Sequence, residues 1–217
     1  YPIYFVSTNL IGQQSQIGIG SRLWINAAIT TLLFLGIPYL FARSRHIRID
    51  TSFRLTVSKF RWWIAIPGIL LMGCSLWMVA HELFVLSMQL NLASLTVEQI
   101  ALAKDAKEEL IKLPLIVILI TSAILPAIAE EFFFRGFALS SLHRLSLIRQ
   151  ILLSGVLFGL FHVLSGNSLS LERLIPTTFL GLVLGWVALR TGSLLPGILL
   201  HALHNGLMFS LAYYETW

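Results

Sequence analysis

Residues 114–141 read PLIVILITSAILPAIAEEFFFRGFALSS, an apolar run long enough to cross a bilayer that nevertheless carries Glu130, Glu131 and Arg135. A helical crossing of the hydrocarbon core takes about 20 residues. On insertion scales one acidic side chain at the middle of such a helix costs about 2.5 to 3.5 kcal/mol, so two in succession must face a protein interior, a partner or water. This stretch therefore demands a membrane helix packed among others that enclose its acids. Ionisable groups inside a membrane mark functional sites by default.

Working outward, apolar runs place further spans at Leu23 to Phe41, Trp62 to Leu90, Leu147 to Leu164, Leu174 to Leu189 and Leu194 to Tyr214. All are expected to be helices, because an isolated strand in lipid leaves its backbone groups unpaired and no run alternates with the period of two that a barrel requires. The expected fold is all-α, a polytopic bundle of about six transmembrane helices in one domain spanning 1–217. Within it, 1–21 reads as a polar lead-in, 22–112 as two N-terminal spans and a connector, and 113–217 as the core that carries the chemistry. No internal repeat is visible.

Composition agrees. The chain has 57% hydrophobic and only 12% charged residues and a mean hydropathy of +0.83, against about 25% charged in an average soluble domain. The net charge of +5 does not point to nucleic acid. Six of the fifteen basic residues, Arg43, Arg45, Arg48, Arg54, Lys59 and Arg61, fall between the first two spans, where they act as an orientation signal and meet anionic headgroups. With Arg144 and Arg149 after the third span, they predict that these connections are cytoplasmic and that both chain ends lie on the far side, together with Lys104, Lys107, Lys112 and Arg173. The expected location is the cell (inner) membrane. The single cysteine, Cys74, excludes an intramolecular disulfide and is expected to pack within a span. Opening on Tyr1 rather than Met is expected of a processed product or of part of a larger membrane polypeptide or complex. The connector 91–112 carries a capping signature, Thr96 to Gln99, and is expected to be a solvated helix.

Three clusters can carry chemistry. On a helix Glu131 and Arg135, at i and i+4, share a face and pair, whereas Glu130 points about 100° away. Glu131 is thereby assigned to holding the helix in place and Glu130 to acting as a general base near neutrality, with a purely structural ion network as the plain alternative. Phe158 and His162 fall on one face of the next span, where Gly155 and Gly159 permit close helix approach. His201 and Asn205 share a face of the last span, with His204 projecting about 60° from His201. Imidazole and carboxamide can donate together to a developing oxyanion, and histidine can also ligate a metal. Taken singly, a histidine in the position of His162 is more often a hydrogen-bonded packing residue than a catalyst, and the His201–Asn205 cluster is equally an interhelical hydrogen-bonding site. A carboxylate base, two imidazoles and an amide converging in one bundle match what water attack on a carbonyl requires.

The order and spacing Glu130-Glu131-x-x-x-Arg135, Phe158-x-x-x-His162 and His201-x-x-x-Asn205 resemble the three motifs of the CAAX prenyl protease and bacteriocin-processing family, also called the Abi family. The resemblance covers Pro114 to the end, and the first two spans are compatible with it. It implies an intramembrane endopeptidase acting on peptide or membrane-protein substrates, including prenylated C-terminal peptides and leader peptides. Residue by residue it implies Glu130 as the base that activates water, His162 as a group that positions it, and His201 with Asn205 as oxyanion stabilisers. Glu131 and Arg135 support the site, and His204 lies beside it. The family has been described both as metalloproteases and as metal-free glutamate enzymes. A zinc ion, if used, would take Glu130, His162 and His201, but no cofactor is required by any motif: His81-Glu82 lacks the second histidine of the H-E-x-x-H pattern. Two other functions fit the same residues. A partner-binding scaffold would retain the fold without turnover. A proton-coupled transporter would use the acids and histidines as a relay, although such proteins often carry a repeat that this chain lacks.

Overall fold

The computed structural model describes residues 17–55, 62–92, 96–164 and 171–214, and among them every regular element is a helix. The helices are α1 (Ile19–Ser44), the short α2 (Ile49–Ser52), α3 (Trp62–Gln89), α4 (Val97–Leu110), α5 (Leu115–Ser141), α6 (Leu147–Leu164), α7 (Leu174–Thr191) and α8 (Leu195–Tyr214). Six of them, α1, α3, α5, α6, α7 and α8, are long and apolar enough to cross a membrane. This is a multi-pass integral membrane bundle. Its outward faces carry large apolar side chains such as Leu32, Leu71 and Ile148, each at least 68% exposed, which is tolerable in lipid and a liability in water.

The boundaries follow the apolar runs closely. Helix α1 starts at Ile19 rather than Leu23, because Ser21 and Arg22 occupy its first turn, where side chains still reach the interface. Cys74 lies on the exposed face of α3 instead of packing inward. The polar lead-in up to Gln16, and Lys59 and Arg61, lie outside the described residues.

Alternation of the spans gathers the α1–α3, α5–α6 and α7–α8 connections at one end. The residues there tie it together: Arg54 donates to the Arg135 carbonyl (2.9 Å) and to Ser140 Oγ (2.8 Å), Ser140 donates to the Ser52 carbonyl, and Leu194 N–H donates to the Arg54 carbonyl. Gly192, at φ 65°, supplies the left-handed residue that ends α7. At the opposite end, Ile19, Leu23, Leu110, Met208 and Phe209 form an apolar cluster. Helix α4 joins it through Leu110, and Ala103 and Ala106 on the same helix are also buried. The connector is therefore helical, as expected, and one of its faces is docked rather than solvated.

Helix α5 is not uniform. Its hydrogen bonding widens to the π pattern over Ile120–Ile124 and again over Phe132–Ala138. The first wide turn lies just before Pro126, whose missing N–H and bulky ring disturb the preceding turn. The second begins directly after Glu131 and includes Arg135 and Gly136. Such bulges are frequent at functional sites.

Helices α6 and α7 meet backbone to backbone. A Cβ built on Gly181 would lie 2.9 Å from the Gly155 Cα and carbonyl oxygen, and one on Gly155 would lie 2.9 Å from the Leu182 nitrogen. Small residues allow this approach, which in lipid must supply by packing what the hydrophobic effect supplies in water. Gly181→Ala should therefore lower thermal stability in detergent by about 1 to 3 kcal/mol through overpacking. Gly68→Ala, where nothing lies within 4 Å, should leave it unchanged or slightly raised; equal melting shifts for the two variants would contradict this packing.

Candidate active site

The centre of the bundle is a buried ion pair. Glu131 and Arg135 are both 0% exposed, and Arg135 Nη1 donates to Glu131 Oε1 at 2.8 Å. Their i, i+4 spacing on α5 makes the pair possible, and neighbouring helices complete it. Arg135 Nη2 donates to the Gly181 carbonyl of α7 at 3.0 Å, and its guanidinium carbon lies 4.4 Å from the Phe158 ring centroid of α6, a cation–π contact. From α8, His201 Nδ1 lies 3.0 Å from Glu131 Oε1. Gly197, one turn before His201, leaves room for the carboxylate: a Cβ there would stand 3.2 Å from Glu131 Oε2.

Glu130 leaves the same helix in a different direction and meets two imidazoles. Its Oε2 lies 3.6 Å from His162 Nε2 and 3.9 Å from His201 Nε2. The far nitrogen of each ring is fixed. His162 Nδ1 is 2.9 Å from the Phe158 carbonyl, an acceptor only, so that nitrogen carries the proton and donates. His201 Nδ1 faces a carboxylate already held by Arg135 and likewise donates. In the neutral rings this leaves the Nε2 lone pairs turned towards Glu130. Phe158, fully buried, walls the cluster, with its ring centroid 4.4 Å from that of His162 and 5.6 Å from that of His201.

The structure thus brings together Glu130, Glu131, Arg135, Phe158, His162 and His201 from three helices. Asn205, also buried, sits one helical turn beyond His201 on α8, away from the arginine-rich end. His204 is buried as well, and among the described residues no hydrogen bond or ion pair joins it to Glu130. The sequence reading did not identify Gly181, whose carbonyl receives Arg135, or Gly197, which admits Glu131. The second left a signal, since it precedes His201 by four residues on the same face. Arg54, read from the sequence as part of an orientation signal, also holds the α5 backbone at Arg135.

Glu130, His162 and His201 are of the donor types that zinc takes. Tetrahedral ligands at zinc bond lengths stand about 3.3 Å apart, and the separations of 3.6 and 3.9 Å are wider. Among the described residues no group of three or more His, Cys, Asp or Glu side chains is arranged to hold a metal ion. As placed, the trio does not fit zinc.

Residues 112–207 match the family model for the type II CAAX prenyl endopeptidase Rce1-like proteins. The match covers α5 to α7 and most of α8, the same stretch that carries the three motifs, and it identifies the same family as their order and spacing. No curated protein and no solved structure matches the chain.

Since Glu131 and Arg135 are enclosed together, removing one partner strands the other. Arg135→Ala or Glu131→Gln should destabilise the protein by about 3 to 5 kcal/mol, read as reduced yield and a lowered melting temperature in detergent. Normal purification and melting of both variants would remove the structural role of the pair.

Proposed function

We propose that this protein is an intramembrane endopeptidase that hydrolyses a peptide bond of a membrane-associated substrate with a water molecule activated by Glu130. One observation carries the reading: two imidazoles from two different helices, each tethered at Nδ1, direct Nε2 at a single carboxylate oxygen. A merely structural ion network has no need of that convergence. The Rce1-like match supports a protease in general terms.

The chemistry follows from the donors and acceptors. A water between Glu130 and His162 donates one hydrogen to the carboxylate and the other to His162 Nε2, which aims its lone pair at a substrate carbonyl. Glu130 takes the proton as the C–O bond forms, and the carbonyl becomes a tetrahedral oxyanion. Asn205 donates its amide N–H to that oxyanion. His201 lies on the same face of α8, one turn away, and its Nε2 joins in when it carries a proton. Glu130 then returns the proton to the leaving amine as the C–N bond breaks. Water has been added across the bond, and the enzyme regains its starting protonation state.

Glu130→Gln keeps the shape and removes the base, and His162→Ala removes the positioning acceptor. Each should lower cleavage of a broad pool of prenylated and membrane-protein peptides by at least about 100-fold, the scale of general-base catalysis, while the melting temperature stays near wild type. Full activity in either folded variant would remove the mechanism. Asn205→Ala should lower kcat by about 100- to 1,000-fold with little change in KM, as expected for a group that acts on the oxyanion.

The wide spacing of Glu130 from the two histidines suits water better than a metal. Dialysis against a strong chelator should leave the cleavage rate unchanged. Stoichiometric zinc in freshly purified protein, with activity lost on its removal and regained on its return, would overturn this.

A further inference from the structure

We infer that Arg54, in the loop between the first two spans, is a positioning residue of the site: by holding the Arg135 carbonyl it keeps the wide turn of α5 in the form that brings Glu131 to His201. Arg54 touches no reacting group, and its catalytic meaning rests on the protease reading proposed above.

Residues 53 and 54 grip that turn from outside the helix. Phe53 is buried and packs edge-on against Phe132 and Phe137, both within the turn Phe132–Ala138. Gly136 admits it, since a Cβ there would lie 3.3 Å from Phe53 Cβ and 3.4 Å from the Phe53 carbonyl oxygen. Arg54 Nη1 then donates to the Arg135 carbonyl at 2.9 Å and to Ser140 Oγ at 2.8 Å. Ser140 closes the link by donating to the Ser52 carbonyl at 2.6 Å.

The same residue reaches α8. Its carbonyl accepts from the N–H of Leu194 at 3.0 Å, directly before that helix begins. Arg54 is thus bonded through its side chain to the helix of Glu131, and through its main chain to the start of the helix of His201. Those two helices meet inside the bundle where His201 Nδ1 lies 3.0 Å from Glu131 Oε1.

The backbone supplies an independent observation. Arg54 has φ 55°, in the left-handed region that a glycine adopts freely and an arginine only at a cost. Residues kept in such conformations are held there by their surroundings, and they cluster at functional sites. What holds Arg54 is its pair of attachments, the carbonyl to α8 and the guanidinium to α5.

The effect on the site follows from helix geometry. A turn closed from i to i+5 winds less per residue than one closed from i to i+4, so the width of this turn sets the direction in which Arg135 leaves α5 relative to Glu131. Arg135 is engaged at both ends. Its carbonyl is held by Arg54, while its guanidinium holds Glu131 at 2.8 Å and the Gly181 carbonyl at 3.0 Å. A displaced carbonyl is therefore felt at the carboxylate and, through it, at the His201 ring. His162 stands outside this chain of contacts, because its Nδ1 is tethered to the Phe158 carbonyl of its own helix. Losing the Arg54 side chain should disturb one site imidazole and spare the other, which a general loss of packing does not do.

The test is nitrogen NMR on histidine-labelled protein in detergent, with His162 and His201 assigned through their Gln variants. Arg54→Gln removes the guanidinium, and Arg54→Gly removes it while suiting the left-handed backbone. Arg48→Gln makes the same charge change in the same loop, at a side chain 76% exposed. Both Arg54 variants should move the His201 signals and leave those of His162 in place, and Arg48→Gln should move neither. In the cleavage assay the Arg54 variants should lower kcat by about 10- to 100-fold with KM little changed, the scale of a misplaced catalytic group. The inference is overturned by His201 signals that stay put in the folded Arg54 variants, by His162 and His201 signals that move together, or by an Arg48→Gln spectrum altered like that of Arg54→Gln. Unfolding of both Arg54 variants, or wild-type kcat in either, would overturn it too. Absence of cleavage by the wild type would count against the protease reading alone, since the spectra are read without substrate.

Discussion

The structure depends on satisfying one ion pair in a place where no solvent can help. Taking a carboxylate and a guanidinium out of water costs several kcal/mol for each ion even after relaxation, and attraction between them offsets that only when the remaining donors and acceptors are also engaged. Here those duties fall on three other helices. Helix α7 offers the Gly181 carbonyl, α6 the face of Phe158, and α8 the Nδ1–H of His201. Each group added to complete the pair also fixes one helix against α5. The contacts that neutralise Glu131 and Arg135 thus set the positions of the helices that carry His162, His201 and Asn205.

Adjacent carboxylates can hold opposite roles because a helix turns about 100° per residue. Glu131 points into the interior of the bundle, where its Oε1 takes hydrogen bonds from Arg135 and His201. Glu130 faces imidazole nitrogens whose partner atoms are committed elsewhere. In the proposed mechanism the base is the carboxylate turned towards the imidazole Nε2 atoms, and the structural anion is the one held by Arg135. The wide turn that begins at Phe132 lies at this division. Beyond it the Arg135 carbonyl takes a hydrogen bond from Arg54, outside the helix, which ties the arginine-rich end to the helix that carries the ion pair.

Much of this was legible in the sequence, for reasons that can be stated. The spans could be read because hydropathy in lipid is a property of single segments. The Glu131–Arg135 pairing could be read because it is local, a matter of i and i+4 on one helix. The three motif clusters could be read because order and spacing are one-dimensional facts. What escaped was non-local. Gly155 was noticed as a site of close approach, but that its counterpart is Gly181, whose carbonyl also receives Arg135, depends on the register of α6 against α7. Arg54 looked like one more arginine in a basic loop, and its bond to Arg135 joins residues 81 positions apart. The wide turns of α5, one just before Pro126 and one that includes Gly136, interrupt a helix whose composition alone predicts a regular one.

The most direct test of the central arrangement is the tautomeric state of the two site histidines, read by nitrogen NMR on protein labelled at histidine, with the signals assigned through His162→Gln and His201→Gln. Tethering at the Phe158 carbonyl and at Glu131 predicts that at neutral pH both rings carry a proton on Nδ1, and that the Nε2 signals of both move when Glu130 is changed to Gln. A His162 ring protonated on Nε2 with Nδ1 bare, or Nε2 signals indifferent to the change at Glu130, would contradict the geometry on which the proposed chemistry stands.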